Sequence, residues 1–128
     1  MKIACIQFNV RFGKVEENYE RVEVFLRDAA KHGAEIGVLP EMWNTGYALG
    51  KVPEIAGMNG ERTKRFLGGL AKELSLHIVG GSVATKQGEK FYNTMYTFNN
   101  EGELVGEYSK AHLFRLMDED KYLTAGNE

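Results

Sequence analysis

Two stretches of the chain repeat apolar residues at spacings of three and four, the period of an amphipathic helix. In residues 15–32 the apolar stripe consists of Val15, Tyr19, Val22, Leu26 and Ala29. In residues 61–74 it consists of Phe66, Leu67, Leu70, Ala71 and Leu74. Gly33 follows the first helix as a C-terminal cap. Gly68 and Gly69 weaken the second helix by about 1 kcal/mol each relative to alanine, a cost that close packing against a neighbour would explain.

Five other apolar segments are rich in β-branched and aromatic residues and predict strands. They are residues 2–10, 35–39, 77–85, 91–98 and 103–109. Pro40 ends the second of them, and the last two pair as a hairpin across a turn that contains Gly102. The stretch 42–58 is predicted to be mostly loop, because Gly46, Gly50, Pro53 and Gly57 interrupt it. The stretch 110–128 shows no clear period and is predicted to be a long loop.

The order β-α-β-α-β-β-β predicts an α/β fold with a mixed sheet and two helices on one of its faces. The strands at 2–10 and 35–39 are apolar on both sides. Two helices cover one face only, so we expect something outside this sequence to cover the other.

The composition changes this picture little. The 128 residues suffice for one domain with a core, and contents of 43% apolar and 27% charged residues are typical of a folded protein. A net charge of -2 without a basic block argues against nucleic-acid binding. The apolar runs are too short to cross a membrane, and no signal peptide is apparent. We therefore expect a cytoplasmic protein.

The single cysteine, Cys5, excludes a disulfide within the chain and fits a reducing compartment. It lies inside a predicted strand with no histidine nearby, so we interpret it as a buried structural residue rather than a nucleophile. The three histidines, His32, His77 and His112, do not have metal-ligand spacing. We predict no metal and no cofactor, and we interpret His112 as a structural residue.

Two charged residues stand at strand ends, where open α/β sheets place their sites. Glu41 follows the second strand, beside Trp43 and Tyr47, and fits a partly desolvated general base. Lys110 closes the last strand and fits a partner for a carboxylate. By position alone, a surface glutamate and a lysine that reaches to solvent are the commoner explanations.

The segments that hold these residues match a known family when taken together. LPEMWNTGY (residues 39–47) resembles the first sequence signature of the nitrilase, or carbon–nitrogen hydrolase, superfamily, and YSKAHLF (108–114) resembles the second. The segments 2–10, 91–110 and EDKYLTAGN (119–127) are also similar to that family. Within it, HLFRLMDED (112–120) looks closest to an ω-amidase-like bacterial branch.

The resemblance implies a role for each candidate residue. Glu41 aligns with the catalytic glutamate, Lys110 with the catalytic lysine and Glu119 with a second, supporting glutamate. Trp43 and Tyr47 are expected to wall the pocket, and Arg115 to bind a substrate carboxylate, although a solvated arginine is the alternative. No residue of 1–128 matches the family's nucleophilic cysteine, which lies on a later strand in that family.

The resemblance also implies half of a four-layer α-β-β-α sandwich, so residues 1–128 would be a partial domain that needs its C-terminal half. The expected substrate is a small ω-amide of an α-keto acid. An N-carbamoyl compound or a nitrile, or a non-catalytic fragment that only binds its other half, are the alternatives. We also expect a homo-oligomer.

The family assignment makes a geometric prediction. The strands that end before Glu41 and Lys110 should lie in one sheet with their carboxyl ends at the same edge. The carboxylate of Glu41 and the ammonium of Lys110 should then be within ion-pair distance or one water apart, with Glu119 close to Lys110.

Overall fold

The computed structural model describes residues 1–127, which form an α/β fold on one mixed sheet. Its strands are β1 (Ile3–Cys5), β2 (Ile36–Val38), β3 (Gly57–Met58), β4 (His77–Val79), β5 (Val83–Gln87), β6 (Lys90–Phe98) and β7 (Leu104–Ser109). Its helices are α1 (Val15–Lys31), α2 (Val52–Ile55), α3 (Glu61–Leu74) and α4 (Glu119–Tyr122), with 3-10 turns at Leu49–Lys51 and Arg115–Met117. None of the helices in this part of the chain has both the length and the apolar character of a bilayer-spanning segment.

Helix α1 confirms the first predicted helix to within one residue, and Gly33 ends it. Gly33 has a φ of +86°. Its N–H donates to the carbonyl of Ala30, and the N–H of Ala34 donates to the carbonyl of Ala29. These two bonds form a Schellman motif, which requires a left-handed residue such as glycine after the helix.

Helix α3 has the predicted bounds, and the structure explains one of its two glycines. A methyl group on Gly68 would lie 3.2 Å from the carbonyl oxygen of Gly102 in the β6–β7 turn. A methyl group on Gly69 would have no atom within 4 Å. Close packing therefore accounts for Gly68 and leaves Gly69 without a structural reason.

The sheet confirms the predicted placement of the strand ends. Its order is β1-β2-β4-β6, with β7 on the other side of β6, β5 also beside β6, and β3 outside β5. Strands β1, β2 and β4 are parallel, whereas β6 is antiparallel to both β4 and β7. It follows that β2 and β7 run in the same direction and end at the same edge of the sheet.

The predicted strand 77–85 is interrupted, and this corrects the sequence analysis. Strands β4 and β5 both pair with β6, but the register slips by one residue, since Val79 faces Thr97 whereas Val83 faces Thr94. The extra residue forms a bulge at positions 80–82. Gly81 has a φ of +57° there, a conformation that glycine adopts without strain.

The predicted strand 2–10 is also too long, because only Ile3–Cys5 belong to the sheet. Ile6 still donates its N–H to the carbonyl of Val38 in β2, but at Arg11 a side chain on α1 takes the place of a neighbouring strand. The side-chain oxygen of Asn18 accepts the N–H of Arg11 at 2.8 Å, and its amide donates to the carbonyl of Arg11 at 2.8 Å. These bonds satisfy backbone groups that the sheet would otherwise pair.

Helices α1 and α3 pack on one face of the sheet, as predicted. On that face a methyl group on Gly37 of β2 would lie 3.0 Å from Leu26 of α1, and one on Gly80 would lie 3.0 Å from Leu67 of α3. The opposite side of the sheet, here called the open face, carries apolar residues from successive strands. They are Ile3, Cys5, Ile36, Val38, Val79 and Met95.

Cys5 is exposed on this open face, so the prediction that it is buried was wrong. The reason is that β1 is an edge strand and that side chains alternate between the two faces of the sheet. Cys5 alternates with Ala4, which points toward the helices. Ile3, the other open-face residue of β1, is 53% exposed.

The stretches 42–58 and 110–128 were predicted to be loops, but both contain short elements. Helix α2 and strand β3 lie in the first stretch, and the Arg115–Met117 turn and α4 lie in the second. Glu128 lies outside the described residues. The two stretches pack together in a small second core, and this packing explains why they form defined elements. Its buried members are Met42, Leu49, Val52, Ala84 and Leu123.

Candidate active site

Glu41 lies in the turn after β2, and the bulge at positions 80–82 anchors this turn. The N–H of Ser82 donates to the carbonyl of Pro40 at 3.2 Å, and the carbonyl of Ser82 accepts the N–H of Trp43 at 3.0 Å. The hydroxyl oxygen of Ser82 accepts the N–H of Met42 at 2.9 Å. Met42 has a φ of +52°, which a side chain other than glycine adopts only when its surroundings hold it. The turn therefore fixes where the Glu41 side chain begins.

Lys110 is positioned by the last rung of the β6–β7 pair. Its N–H donates to the carbonyl of Asn93 at 2.8 Å, which continues the register in which Ser109 faces Thr94. Residues opposite each other in an antiparallel pair project from the same face. The side chains of Asn93 and Lys110 thus lie on the same face at the edge where Glu41 stands.

The ammonium of Lys110 bridges two carboxylates. Its Nζ lies 3.0 Å from Oε1 of Glu41 and 2.9 Å from Oε1 of Glu119. This confirms the geometric prediction for all three residues. The Nδ2 of Asn93 donates to the same Oε1 of Glu41 at 2.9 Å. Glu41 therefore accepts two hydrogen bonds on one oxygen.

Glu119 is the buried member of the cluster. It begins α4, and its side chain is 0% exposed. Its Oε1 accepts a second hydrogen bond, from the N–H of Phe114 at 2.8 Å. Its Oε2 is buried without a partner among the described residues. A buried carboxylate needs a counter-charge, and Lys110 supplies it.

Opposing effects act on Glu41. Partial burial raises the pKa of its carboxyl, but the donors of Lys110, Tyr47 and Asn93 outweigh burial and hold that pKa below the ordinary value. Burial also acts to lower the pKa of Lys110, and its contacts with Glu119 and Glu41 reverse this, so that its pKa is raised. At neutral pH the site therefore holds an ionised carboxylate and an ammonium.

Tyr47 lies beside this cluster, although it was expected to wall the pocket and is not among the residues that line the adjacent cavity. Burial and the neighbouring negative charge of Glu41 raise the pKa of its hydroxyl, so the phenol stays protonated at neutral pH. A protonated hydroxyl next to a carboxylate acts as a hydrogen-bond donor.

A cavity of about 340 Å³ opens beside Glu41 and Lys110 on the open face. Its lining consists of Leu39, Glu41, Val79, Gly81, Ser82, Asn93, Met95, Tyr108 and Lys110. Apolar walls with a few convergent polar groups are typical of small-molecule sites. Cys5 is not part of the lining, and its strand β1 forms the sheet edge opposite β7.

The structure does not place Trp43 on the pocket wall. Its indole is fully buried, donates its N–H to the carbonyl of Gly80 at 2.9 Å and packs edge-on against Tyr19. Trp43 therefore supports the Glu41 turn from within the core. The reason is that the core offers its ring apolar contacts and its N–H an acceptor.

Arg115 and His112 lie apart from the cluster. Both are exposed and border a separate depression of about 260 Å³. The structure gives no contact between Arg115 and Glu41, Lys110 or Glu119, so it does not bring the predicted carboxylate-binding arginine to the ionised groups.

The sequence analysis missed Asn93. A signal was present, because Asn93 is a polar residue inside the otherwise strand-like segment 91–98 and lies opposite Lys110 in the predicted hairpin. Reading the hairpin register through to Lys110 identifies it.

The fold and the site together define an α/β protein with an enzyme-like cluster of ionised side chains at the carboxyl ends of its strands. A family model described as carbon-nitrogen hydrolase matches residues 2–128. The chain belongs to this family.

Similar proteins agree with this assignment. The chain is 46% identical over 126 residues to the 2-oxoglutaramate amidase of Bacillus subtilis, covering 98% of this chain and 48% of that protein. It is 38% identical over 116 residues to the human omega-amidase NIT2, covering 90% of this chain and 41% of that protein. The crystal structure of Saccharomyces cerevisiae Nit3, a nitrilase superfamily member, matches all of this chain and 49% of its own with a TM-score of 0.87 at 27% identity. The chain thus spans about half the length of these relatives.

Proposed function

We propose that this chain supplies the general base and the oxyanion-stabilising lysine of a carbon–nitrogen hydrolase that acts on small amides through a thiol. The observation that carries this proposal is the position of Lys110 Nζ, 3.0 Å from the partly exposed Glu41 and 2.9 Å from the buried Glu119. A surface lysine has no need of a fully buried carboxylate partner, whereas a cation that must stay charged and fixed does.

In this mechanism Glu41 moves protons. It takes the proton of the attacking thiol, the thiolate forms a bond to the amide carbon, and Glu41 returns the proton to the nitrogen as the C–N bond breaks. Water activated by Glu41 then releases the acid from the thioester. Its lowered pKa keeps Glu41 ionised at neutral pH, as its first step requires.

Lys110 stabilises the negative charge that develops on the carbonyl oxygen of the substrate. A fixed cation at a site that excludes water lowers the barrier more than one in bulk solvent. Glu119 holds the ammonium of Lys110 in place, and Tyr47 donates toward Glu41. The relatives named 2-oxoglutaramate amidase and omega-amidase support an ω-amide of an α-keto acid as the substrate.

The thiol of this mechanism comes from outside this chain. Cys5 is the one cysteine in the sequence, and it does not line the cavity beside Lys110. We infer that residues 1–128 form about half of the domain and that the other half, which carries the nucleophile, packs on the open face. The shared length with the relatives and the exposed apolar residues of that face support this arrangement.

The test compares this chain with the complete protein, meaning this chain continued by the half that supplies the thiol. Ammonia release is measured from an ω-amide of an α-keto acid, a simple aliphatic nitrile and an N-carbamoyl amino acid. We expect turnover of the amide by the complete protein only. Preference for the nitrile or the N-carbamoyl compound would contradict the proposed substrate, and turnover by residues 1–128 that disappears in Cys5→Ser would contradict the proposed source of the thiol.

A further inference from the structure

Asn93 contacts both ionised residues that face the cavity. Its backbone carbonyl accepts the N–H of Lys110 at 2.8 Å, and its side-chain Nδ2 donates to Oε1 of Glu41 at 2.9 Å. The residue is 2% exposed and lies in the middle of the sheet, paired with Ala84 of β5. The sheet therefore holds Asn93 rigidly, and its amide is a fixed reference point for the Glu41 side chain.

Packing alone does not explain an asparagine at this position. Its Oδ1 is buried and has no hydrogen-bond partner in the described part of the chain. An unpaired buried carbonyl destabilises a fold, and an apolar side chain of similar size avoids that cost. The bond from Nδ2 to Glu41 is the feature that an apolar residue could not reproduce.

We propose that Asn93 is a positioning residue that fixes the rotation of the Glu41 carboxylate through the hydrogen bond from its Nδ2 to Oε1. Asn93 and Lys110 both donate to Oε1 of Glu41. Oε2 accepts from neither of these two donors, and we assign to it the transfer of the proton between the thiol and the leaving nitrogen. This inference rests on the proposed function, because it assigns Asn93 a part in the work of Glu41.

Asn93 is one of three hydrogen-bond donors that act on the pKa of Glu41, and its effect can be separated from that of the other two. Lys110 and Tyr47 also contact the carboxylate, and Glu119 acts on it only through Lys110. Each of the three donors lowers the pKa of Glu41 against the effect of burial. Removal of Asn93 Nδ2 therefore leaves the ion pair in place and raises that pKa.

The experiment follows kcat/KM for amide hydrolysis against pH in the complete protein. Asn93→Leu removes the donor, and Asn93→Asp replaces it with a second carboxyl group while keeping the size of the side chain. Asn18→Leu is the matched control, since Asn18 is also buried but bonds only to the backbone of Arg11 and Asn44. The midpoint of thermal unfolding is recorded for each variant.

We expect the acidic limb of the profile to move to higher pH in both Asn93 variants, because a base is active only when ionised. At neutral pH kcat should fall by roughly tenfold with little change in KM, as expected for the loss of one hydrogen bond to a charged group. Asn18→Leu should lower the unfolding midpoint and leave the acidic limb in place. If Asn93→Leu does not fold, Asn93→Ala, which removes the donor without adding a charge, carries the test, because the second carboxylate of Asn93→Asp raises the Glu41 pKa by repulsion alone.

An acidic limb at the wild-type position in every folded Asn93 variant would overturn this proposal. The titration of the Glu41 carboxyl carbon by NMR gives the same test without turnover. If the wild-type protein hydrolyses no amide, the proposed function fails, while the titration still decides whether Asn93 acts on Glu41. A Glu41 titration that Asn93→Leu and Asn93→Asp both leave unmoved would contradict the positioning role by itself.

Discussion

Lys110 joins a carboxylate that reaches the cavity to one that is closed off from solvent. The Glu41 side chain is 45% exposed, whereas that of Glu119 is 0% exposed. An ionised carboxylate without a counter-charge is costly in the protein interior. The ammonium offsets that cost for Glu119, and Glu119 in turn restricts the ammonium to the point where it also meets Glu41. The same contact therefore serves stability and the geometry of the site.

Replacement of Lys110 with methionine should destabilise the protein by about 3 kcal/mol, because it leaves the Glu119 carboxylate buried without a partner. Lys121→Met is the control, since Lys121 pairs with Asp118 at the surface and is 68% exposed, and its loss should cost less than about 1 kcal/mol. Urea unfolding measures both. Adding Glu119→Gln to Lys110→Met should recover part of the loss, and equal effects of the two lysine variants would contradict the role of Lys110.

Glu41 makes the free energy of unfolding depend on pH on the acidic side. A group whose pKa is lowered in the folded state stabilises that state above its unfolded pKa, near 4.5, and this contribution disappears as the pH falls through the folded pKa. Unfolding followed from pH 7 to about pH 3 should therefore show a steeper loss of stability for wild type than for Glu41→Gln. Parallel curves for the two proteins would contradict the lowered pKa.

The sequence predicted individual site residues where residue type and family resemblance pointed to the same position. It identified Glu41, Lys110 and Glu119 and their proximity. It did not determine the sign of the pKa shift of Glu41, because burial and hydrogen bonding oppose each other and only coordinates give their balance. It also misplaced Trp43, since an aromatic residue beside a candidate general base is equally suited to line a pocket or to support it from below.

Among the secondary-structure elements, the bulge between β4 and β5 has the most direct effect on the site. It adds one residue opposite β6 and turns Gly81 and Ser82 toward the Pro40–Trp43 turn. A methyl group on Gly81 would lie 2.0 Å from the carbonyl oxygen of Pro40. The backbone that presents Glu41 thus rests directly on a glycine.

Gly81→Ala should destabilise the protein by about 2–3 kcal/mol or more, since it combines a positive φ with a backbone clash. Gly69→Ala is the matched control, because it makes the same substitution at a position without a clash. Its methyl group would meet no atom within 4 Å, and alanine favours a helix, so this variant should be stabilised by up to about 1 kcal/mol. Thermal unfolding of both variants checks the prediction, and a neutral Gly81→Ala would show that the turn does not depend on this contact.

The two long helices, α1 and α3, and the strands β2, β6 and β7 were predictable from the sequence to within a residue, whereas the length of β1, the break in 77–85 and the short helices α2 and α4 were not. The period of α1 and its Gly33 cap are local properties of the chain. The length of β1 depends on whether its backbone groups pair with a neighbouring strand or with the Asn18 side chain, which lies on α1. The interruption at Gly81 likewise depends on contacts with Pro40, far away in sequence, so a run of apolar residues at 77–85 did not reveal it.

For the whole molecule, the open face is the main apolar surface that no other described part of the chain covers. Ile3 is 53% exposed and Val105 is 61% exposed, and Val105 shares a depression with Ile36 and Val79. Each 100 Å² of uncovered apolar surface forgoes about 2.5 kcal/mol. The sequence predicted such a face, because β1 and β2 are apolar on both sides and α1 and α3 cover only one.

Isolated residues 1–128 should therefore associate at micromolar concentration, because large apolar patches drive association. Val105→Lys should weaken this association. Val24→Lys should not, since Val24 is equally exposed, at 64%, but lies on the outer side of α1. Sedimentation velocity measures the distribution of species. A stable monomer at all concentrations would contradict the inference that another segment covers the open face.

The Glu41→Gln variant of the complete protein decides whether Glu41 is the general base of an amide hydrolase, and the quantity to measure is its kcat for ω-amide hydrolysis. Glutamine keeps the size of the side chain and its bond to Lys110 but does not accept a proton, so kcat should fall by about a hundredfold or more. Glu73→Gln, which removes a surface carboxylate paired with Arg27, should keep wild-type activity. A Glu41→Gln variant within about threefold of the wild-type kcat would contradict the account, since general acid–base catalysis contributes at least about a hundredfold.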